Sequence, residues 1–310
     1  MRAKTLSYLQ PMGAAALLGG LALALRPGPA RGPLGVHARA PADALASSTS
    51  SASSASPAAP AAPAPAACPD DMALVDGEFC PALPYDCLRP TGAFGCAEYG
   101  RGRRCLEPSD HRRYCVDRFE WPNKVGENPL VYVDWFEAKA YCQGAGKRLC
   151  RRSEWMLACE GPKRLPYPWG FVRQPSPCNI DRATFGFDVY AMMDEGRREG
   201  ELARLWQADR IGSHPGCVSA YGVADLTGNV DEWTDDQADN PGSAHVSTLN
   251  GGYWGPVRNT CRLATKSHGP TFKFYQVGFR CCGDTTDGAE VPPPRPWIEH
   301  EPPKGGGAPG

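Results

Sequence analysis

From Met72 to Cys80 the chain reads Met-Ala-Leu-Val-Asp-Gly-Glu-Phe-Cys, a loose alternation of apolar and polar positions that stops at a turn signal, and this predicts a first strand. Cys115-Val-Asp-Arg-Phe-Glu-Trp121 resumes strand character. After Val131-Tyr-Val133 the period changes. Asp134 with Glu137 three residues on forms a capping-box pattern, and Trp135, Ala138 and Cys142 fall on one helical face, so a helix starts at Asp134 and ends near Gly144 or Gly146. A second helix is expected over 153–159, with Trp155 and Cys159 one turn apart toward the core. Between Pro168 and Thr248 the many Gly, Pro and Asp residues leave few periodic runs, which predicts long ordered loops of the kind that carry function or are pinned by bridges or metals.

The two ends lack any such pattern. Arg2 and Lys4 precede an apolar run from Met12 to Leu25, and Gly28-Pro-Ala30 offers a small-residue cleavage site, so residues 1–30 read as a signal peptide. The run is short of the roughly 20 apolar residues that span a bilayer. A membrane contact is expected only if this segment stays uncleaved. Residues 31–67 form an Ala/Ser/Pro-rich linker and 288–310 a Pro/Gly-rich tail, compositions that bury too little apolar surface to offset the entropy of ordering. The folded unit is placed at 68–287.

Cysteine content adds a framework. All 14 cysteines lie from Cys68 onward, an even set in a chain that reads as exported, and an oxidising compartment turns such sets into disulfides. Zinc is disfavoured because no C-x-x-C occurs and the six histidines are scattered. The stretch 80–115, dense in cysteine and without a period, reads as an insertion stapled by its own bridges. Cys142 and Cys150 flank one Gly-containing turn and are candidate partners. A net charge of −1 with no Lys/Arg cluster among aromatics argues against nucleic acid.

Four segments carry a resemblance: Gly146-Lys-Arg-Leu-Cys-Arg-Arg-Ser-Glu-Trp155; Tyr167-Pro-Trp-Gly170; Tyr221-Gly-Val-Ala-Asp-Leu-Thr-Gly-Asn-Val-Asp-Glu-Trp233; and Leu249-Asn-Gly-Gly-Tyr-Trp through Gln276-Val-Gly-Phe-Arg-Cys281-Cys282. In this order the chain resembles the formylglycine-generating enzyme, or sulfatase-modifying factor, family. The resemblance implies a single α+β domain with a loop-rich, C-type-lectin-like fold. It also implies oxidation of a sulfatase cysteine to formylglycine by oxygen, with copper held by two cysteines five positions apart. Thiolates suit that role, since soft sulfur selects Cu(I). Aligned from Gly251-Gly252, the second position is Cys261 and the first is Pro256, which has no ligand atom. Tyr253 stands where the family has serine, and Asp231 where it has tryptophan.

The same resemblance supplies further candidates. With one gap, Cys261 falls on a structural family cysteine, with Cys178 as candidate partner, while Cys159 and Cys281 match another family bridge. A structural calcium site maps onto the carboxylates of Asp225 and Glu232 and the carbonyls of Gly228 and Val230, an oxygen set that calcium accepts. A second would begin at Asn179 and Ile180, with Asp188 or Asp194 as its acidic ligand. His268 lies where the family groove would run and is a candidate acid or base. Gly212-Ser-His-Pro-Gly216 reads as a turn into Cys217. Tyr253, Trp254, Phe272, Phe274 and Tyr275 are expected to share a surface with Arg258, Arg262 and Lys266.

Function has three readings at this level. The first is an exported binding or accessory module whose groove takes a protein or glycan ligand after loss of the oxidase site. The second is an active formylglycine-generating oxidase with copper and a sulfatase peptide, or a related metal-dependent oxidase with a different ligand set. The third is a cell-envelope structural domain.

Overall fold

A computed structural model describes residues 66–91, 95–101, 104–289 and 295. The signal peptide, nearly all of the linker and most of the tail lie outside the described residues. In chain order the elements are β1 (Met72–Phe79), β2 (Cys87–Pro90), β3 (Cys96–Tyr99), β4 (Asp110–Asp117), α1 (Trp135–Gly144), β5 (Arg148–Leu149), α2 (Arg152–Glu160) and α3 (Val189–Met193). They continue as α4 (Glu195–Leu205), β6 (Asp231–Asp235), α5 (Asp236–Asp239), β7 (Ser247–Asn250), β8 (Ala264–Thr265), β9 (Val277–Phe279) and β10 (Cys281–Gly283). No described helix is long and apolar enough to cross a membrane.

Two four-stranded sheets organise the domain, ordered β1-β4-β10-β5 and β8-β7-β6-β9, beside the small hairpin β2-β3. β1 pairs antiparallel with β4 along its whole length, Met72 opposite Asp117 and Phe79 opposite Asp110. The strand expected over 115–121 therefore lies too far along the chain. Arg112 hides the start of β4: it is buried, bonded to Asp110 at 3.0 Å and over the Phe79 ring, so a charged residue fills an inward position. Beyond Asp117 the chain leaves the sheet, and Glu120 turns into the interior to accept from Asn229 Nδ2 and the Val230 N–H. The insertion accordingly ends before Asp110, because residues 110–115 belong to the main sheet.

α1 begins as the pattern predicts. Asp134 accepts the Glu137 N–H at 2.8 Å, Glu137 accepts the Asp134 N–H at 3.0 Å, and Trp135, Ala138 and Cys142 are buried. α2 covers the expected span with one more residue at each end. α3 and α4 are helices within the segment expected to be loops. α4 buries only Glu201 and Leu205 and contains Gly196 and Gly200, so no apolar stripe marks it in the sequence. Asp188 and Asp194 are the N-caps of α3 and α4, each accepting two backbone N–H groups.

Seven disulfides close the domain: Cys68–Cys115, Cys80–Cys105, Cys87–Cys96, Cys142–Cys281, Cys150–Cys282, Cys159–Cys261 and Cys178–Cys217. Two bridges, Cys80–Cys105 and Cys87–Cys96, lie within the stretch 80–115, whereas Cys115 at its end joins Cys68 outside it. The other pairings differ from expectation. Cys142 does not join Cys150, because β5 between them pairs with β10 and sets Cys142 against Cys281 and Cys150 against Cys282, with Cα separations of 5.5 and 4.7 Å. Cys281 is thereby taken from Cys159. On α2, Cys159 faces Cys261 within one core cluster, and Cys178 meets Cys217 beside Ile180 in another.

Candidate functional site

At one side of the second sheet, the chain after β7 turns through Gly251 and Gly252 at φ +87° and +70°. A Cβ on Gly251 would lie 2.6 Å from the Leu226 carbonyl oxygen, and one on Gly252 would lie 2.8 Å from Asn259 Nδ2. Only glycine fits this turn. It lets the following segment fold back over β7 and β8 and enclose a cavity of about 260 Å³. β6 and β7 contribute Asp231 and Leu249, the turn segment Tyr253, Val257 and Arg258, β8 Thr265, and the approach to β9 His268, Phe272 and Gln276.

Charge within this wall is balanced. Arg258 Nη2 donates to both oxygens of buried Asp231, at 3.0 and 2.8 Å, and to the Leu249 carbonyl at 2.8 Å. Burial raises the Asp231 carboxyl, and the Arg258 guanidinium opposes that rise. His268 stacks on Phe272 with ring centres 3.8 Å apart and planes 7° from parallel, and burial pushes its imidazole below the usual value. Two atoms of these lining residues, Arg258 Nε and Gln276 Oε1, are buried away from the cavity surface without a hydrogen-bond partner.

The expected shared surface is only partly assembled. Tyr253, Phe272 and Arg258 line the cavity, whereas Trp254 and Tyr275 are buried in a cluster that includes Met192 and Leu205. Arg262 turns toward the first sheet, donating to the Cys80 carbonyl at 2.8 Å and pairing with Glu160. Gln276 and Thr265 also line the cavity, and nothing in the sequence around either marks it as a site residue. The turn 212–216 leads into Cys217, with Ser213 Oγ donating to the Arg210 carbonyl and His214 paired with Asp209.

The two-thiolate copper site does not fit these residues. Pro256 is exposed, and Cys261 is fully buried and bonded to Cys159. Seven bridges use all 14 cysteines, and none is free.

For calcium, the fit is to one carboxylate rather than two. Glu232 is spent: Arg280 donates to both its oxygens, at 2.7 and 2.6 Å, and Trp155 Nε1 donates at 2.8 Å. Asp225 Oδ1 is buried with no partner, and burial raises this carboxyl to about 6. Asp225 and Asn229 hold positive φ in the connecting loop, and Gly228 packs so closely on Asn179 and Ile180 that no side chain fits there. At the second position, the Asn179 carbonyl accepts the Asn229 N–H at 2.9 Å and its Oδ1 accepts from Arg182. Asp188 and Asp194 cap helices instead of meeting it. Among the described residues no group of three or more His, Cys, Asp and Glu is arranged to hold a metal.

This α+β domain, with its glycine turn and closing Gly-Phe-Arg-Cys strand, defines a class. Residues 99–285 match the family described as the sulfatase-modifying factor enzyme 1-like domain, and the chain belongs to that family. It is 30% identical over 202 residues to the inactive C-alpha-formylglycine-generating enzyme 2 of Bos taurus, covering 57% of this chain and 59% of that protein. It is 29% identical over 175 residues to the formylglycine-generating enzyme of Mus musculus, covering 51% and 44%. The chain thus spans between 44% and 59% of the length of these relatives. PvdO from Pseudomonas aeruginosa superposes with a TM-score of 0.44 at 17% identity, covering 69% of this chain and 94% of that one. At that score the family match carries the assignment, not the superposition.

Proposed function

We propose that the chain is an exported binding or accessory module that keeps the family groove and has lost its copper-dependent oxidase site. The observation that carries this is Cys261: the thiol that copper would need is one half of a buried disulfide, and the position five residues before it is Pro256. The name of the bovine relative, which marks it inactive, agrees with this reading. Export is supported by the 1–30 segment and by seven disulfides, which persist in oxidising compartments. Arg258 neutralises Asp231 in the cavity wall, so this pair offers no free charge to a substrate thiolate.

The test is copper titration of the purified protein together with mass spectrometry of a Cys-x-Pro-x-Arg peptide after incubation with copper and oxygen. The expected result is no stoichiometric Cu(I) binding and an unchanged peptide mass. Conversion of the peptide cysteine to formylglycine overturns the proposal in favour of an active oxidase.

A further inference from the structure

Away from the groove, a second cleft of about 270 Å³ lies between the Cys-rich insertion and the chain leaving α2. Leu83 and Tyr85 before β2, Gly100 after β3, Lys163 and Arg164 after α2, and Phe171 line it. Its walls are fixed without a ligand. Cys80–Cys105 and Cys87–Cys96 cross-link the insertion, and the rings of Tyr85, Tyr99, Tyr167 and Trp169 follow one another with centres 5.4, 5.8 and 5.2 Å apart. The Tyr85 hydroxyl donates to the Arg164 carbonyl at 2.9 Å and ties the two sides together.

Charge along this cleft has one sign, since none of the described residues that line it is acidic. Lys163 is exposed and has no ion pair or hydrogen bond among the described residues. Arg164 donates through Nη2 to Ser109 Oγ at 2.9 Å, and its other N–H groups have no acceptor among the described residues. Arg101, next to Gly100, lies over the Phe171 ring, 5.5 Å from its centre. Two carboxylates lie nearby, and both are engaged. Glu160 is buried, pairs with Arg262 and acts on Arg164 only through space, while Asp86 beside Gly100 has a partner of its own.

The backbone of Arg164 gives a second, independent sign. Its φ is +54°, reached where the N–H groups of Arg164 and Leu165 return to the carbonyls of Gly161 and Glu160 and end α2. Glycine adopts that left-handed conformation without steric cost, whereas an arginine holds it under strain. Such strain gathers where a side chain has a task, and the task open to this one is to present an unspent guanidinium to the cleft.

We propose that the cleft binds a tetrahedral oxyanion ester, a sulfate or phosphate group, with Arg164 and Lys163 on its oxygens and the attached carbon skeleton against Leu83, Tyr85 and Phe171. A planar fork of N–H groups beside an ammonium matches a group with several charged oxygens. This site lies outside the family groove and does not depend on the fate of the oxidase chemistry.

The experiment is titration of the whole protein, by calorimetry and NMR in 0.15 M sodium chloride, with phenyl phosphate, phenyl sulfate and phenylacetate. Saturable binding of at least one of the two esters is expected, and the tighter of them identifies the source as phosphate or sulfate. Lys163→Ala and Arg164→Gly are each expected to weaken it by about tenfold or more. Because glycine relaxes the backbone at 164, the melting temperature of Arg164→Gly is expected to hold or rise while affinity falls. Lys124→Ala, at an exposed lysine paired with Glu127 elsewhere on the surface, is expected to change nothing. Absence of saturation below about 10 mM overturns the assignment, as does equal binding of phenylacetate or an equal loss in Lys124→Ala. A lower melting temperature for Arg164→Gly with unchanged affinity also overturns it, by making the arginine structural.

Discussion

At the scale of single residues, Asp231 and Arg258 compensate one another in the cavity wall. Asp231 stands where the resemblance implies a tryptophan, and an isolated carboxylate in that buried position would be costly. Arg258 answers it, and the two must be kept or lost together. Asp225 differs, because its Oδ1 has no such answer on the protein. We propose that a calcium ion meets this oxygen together with the carbonyls of Gly228 and Val230, Glu232 being held by Arg280. Excess calcium is expected to raise the melting temperature by a few degrees over a chelated sample, and Asp225→Asn to abolish the response. Superimposable melting curves with calcium and with chelator would remove the ion from the site.

At the scale of elements, the first sheet is tied to the chain beyond its last strand. Arg113 on β4 donates to both carboxylate oxygens of Asp287, beyond β10, at 2.9 and 2.5 Å. The hydrogen bonds from Arg113 lower the Asp287 carboxyl to about 2. A carboxyl depressed by folding contributes stability above its unfolded value, and that contribution is lost as pH falls through the folded one. The link is therefore fully present at neutral pH and disappears between about pH 4 and pH 2. In a melting series across that window, Arg113→Ala is expected to show a shallower decline than the parent chain. Identical slopes would mean that the pair contributes nothing. The same scale shows what local pattern can convey. α1 could be read from Asp134, Glu137 and one buried face, because cap and stripe lie within ten residues. α4 could not, since its two buried positions and two glycines leave no stripe, and β4 could not, since Arg112 is charged and inward.

For the whole molecule, the disulfides decide most. Fourteen cysteines in seven bridges predict that protein purified without reductant shows no reactive thiol when denatured, and 14 after reduction. Peptide mapping should recover Cys159 joined to Cys261; a free Cys261 would remove the disulfide from the case against copper, although Pro256 would still supply no second thiolate. That Cys261 is bridged agrees with the family resemblance, but its partner was not legible. Pairing depends on which strands meet, and β10 meets β4 and β5 only after more than a hundred residues of intervening chain have folded. The groove was half legible for a similar reason. Tyr253, Arg258 and Phe272 stood out as aromatic and basic residues in a known segment, while Thr265 and Gln276 are ordinary polar residues that only the fold brings to the cavity wall.

Cys281 and Cys282 are adjacent on one strand, so their side chains leave opposite faces, one entering each of the two main core clusters. Their partners lie 139 and 132 residues earlier. During synthesis, then, the bridges of 25 and 9 residues inside the insertion can close early, while both cores wait for nearly the last residues of the domain to emerge. A chain stopped before Cys281 would leave Cys142 and Cys150 as two thiols with no proper partner, free to capture another molecule. Until Cys281 and Cys282 are present, those two sulfurs have no partner of their own within the domain.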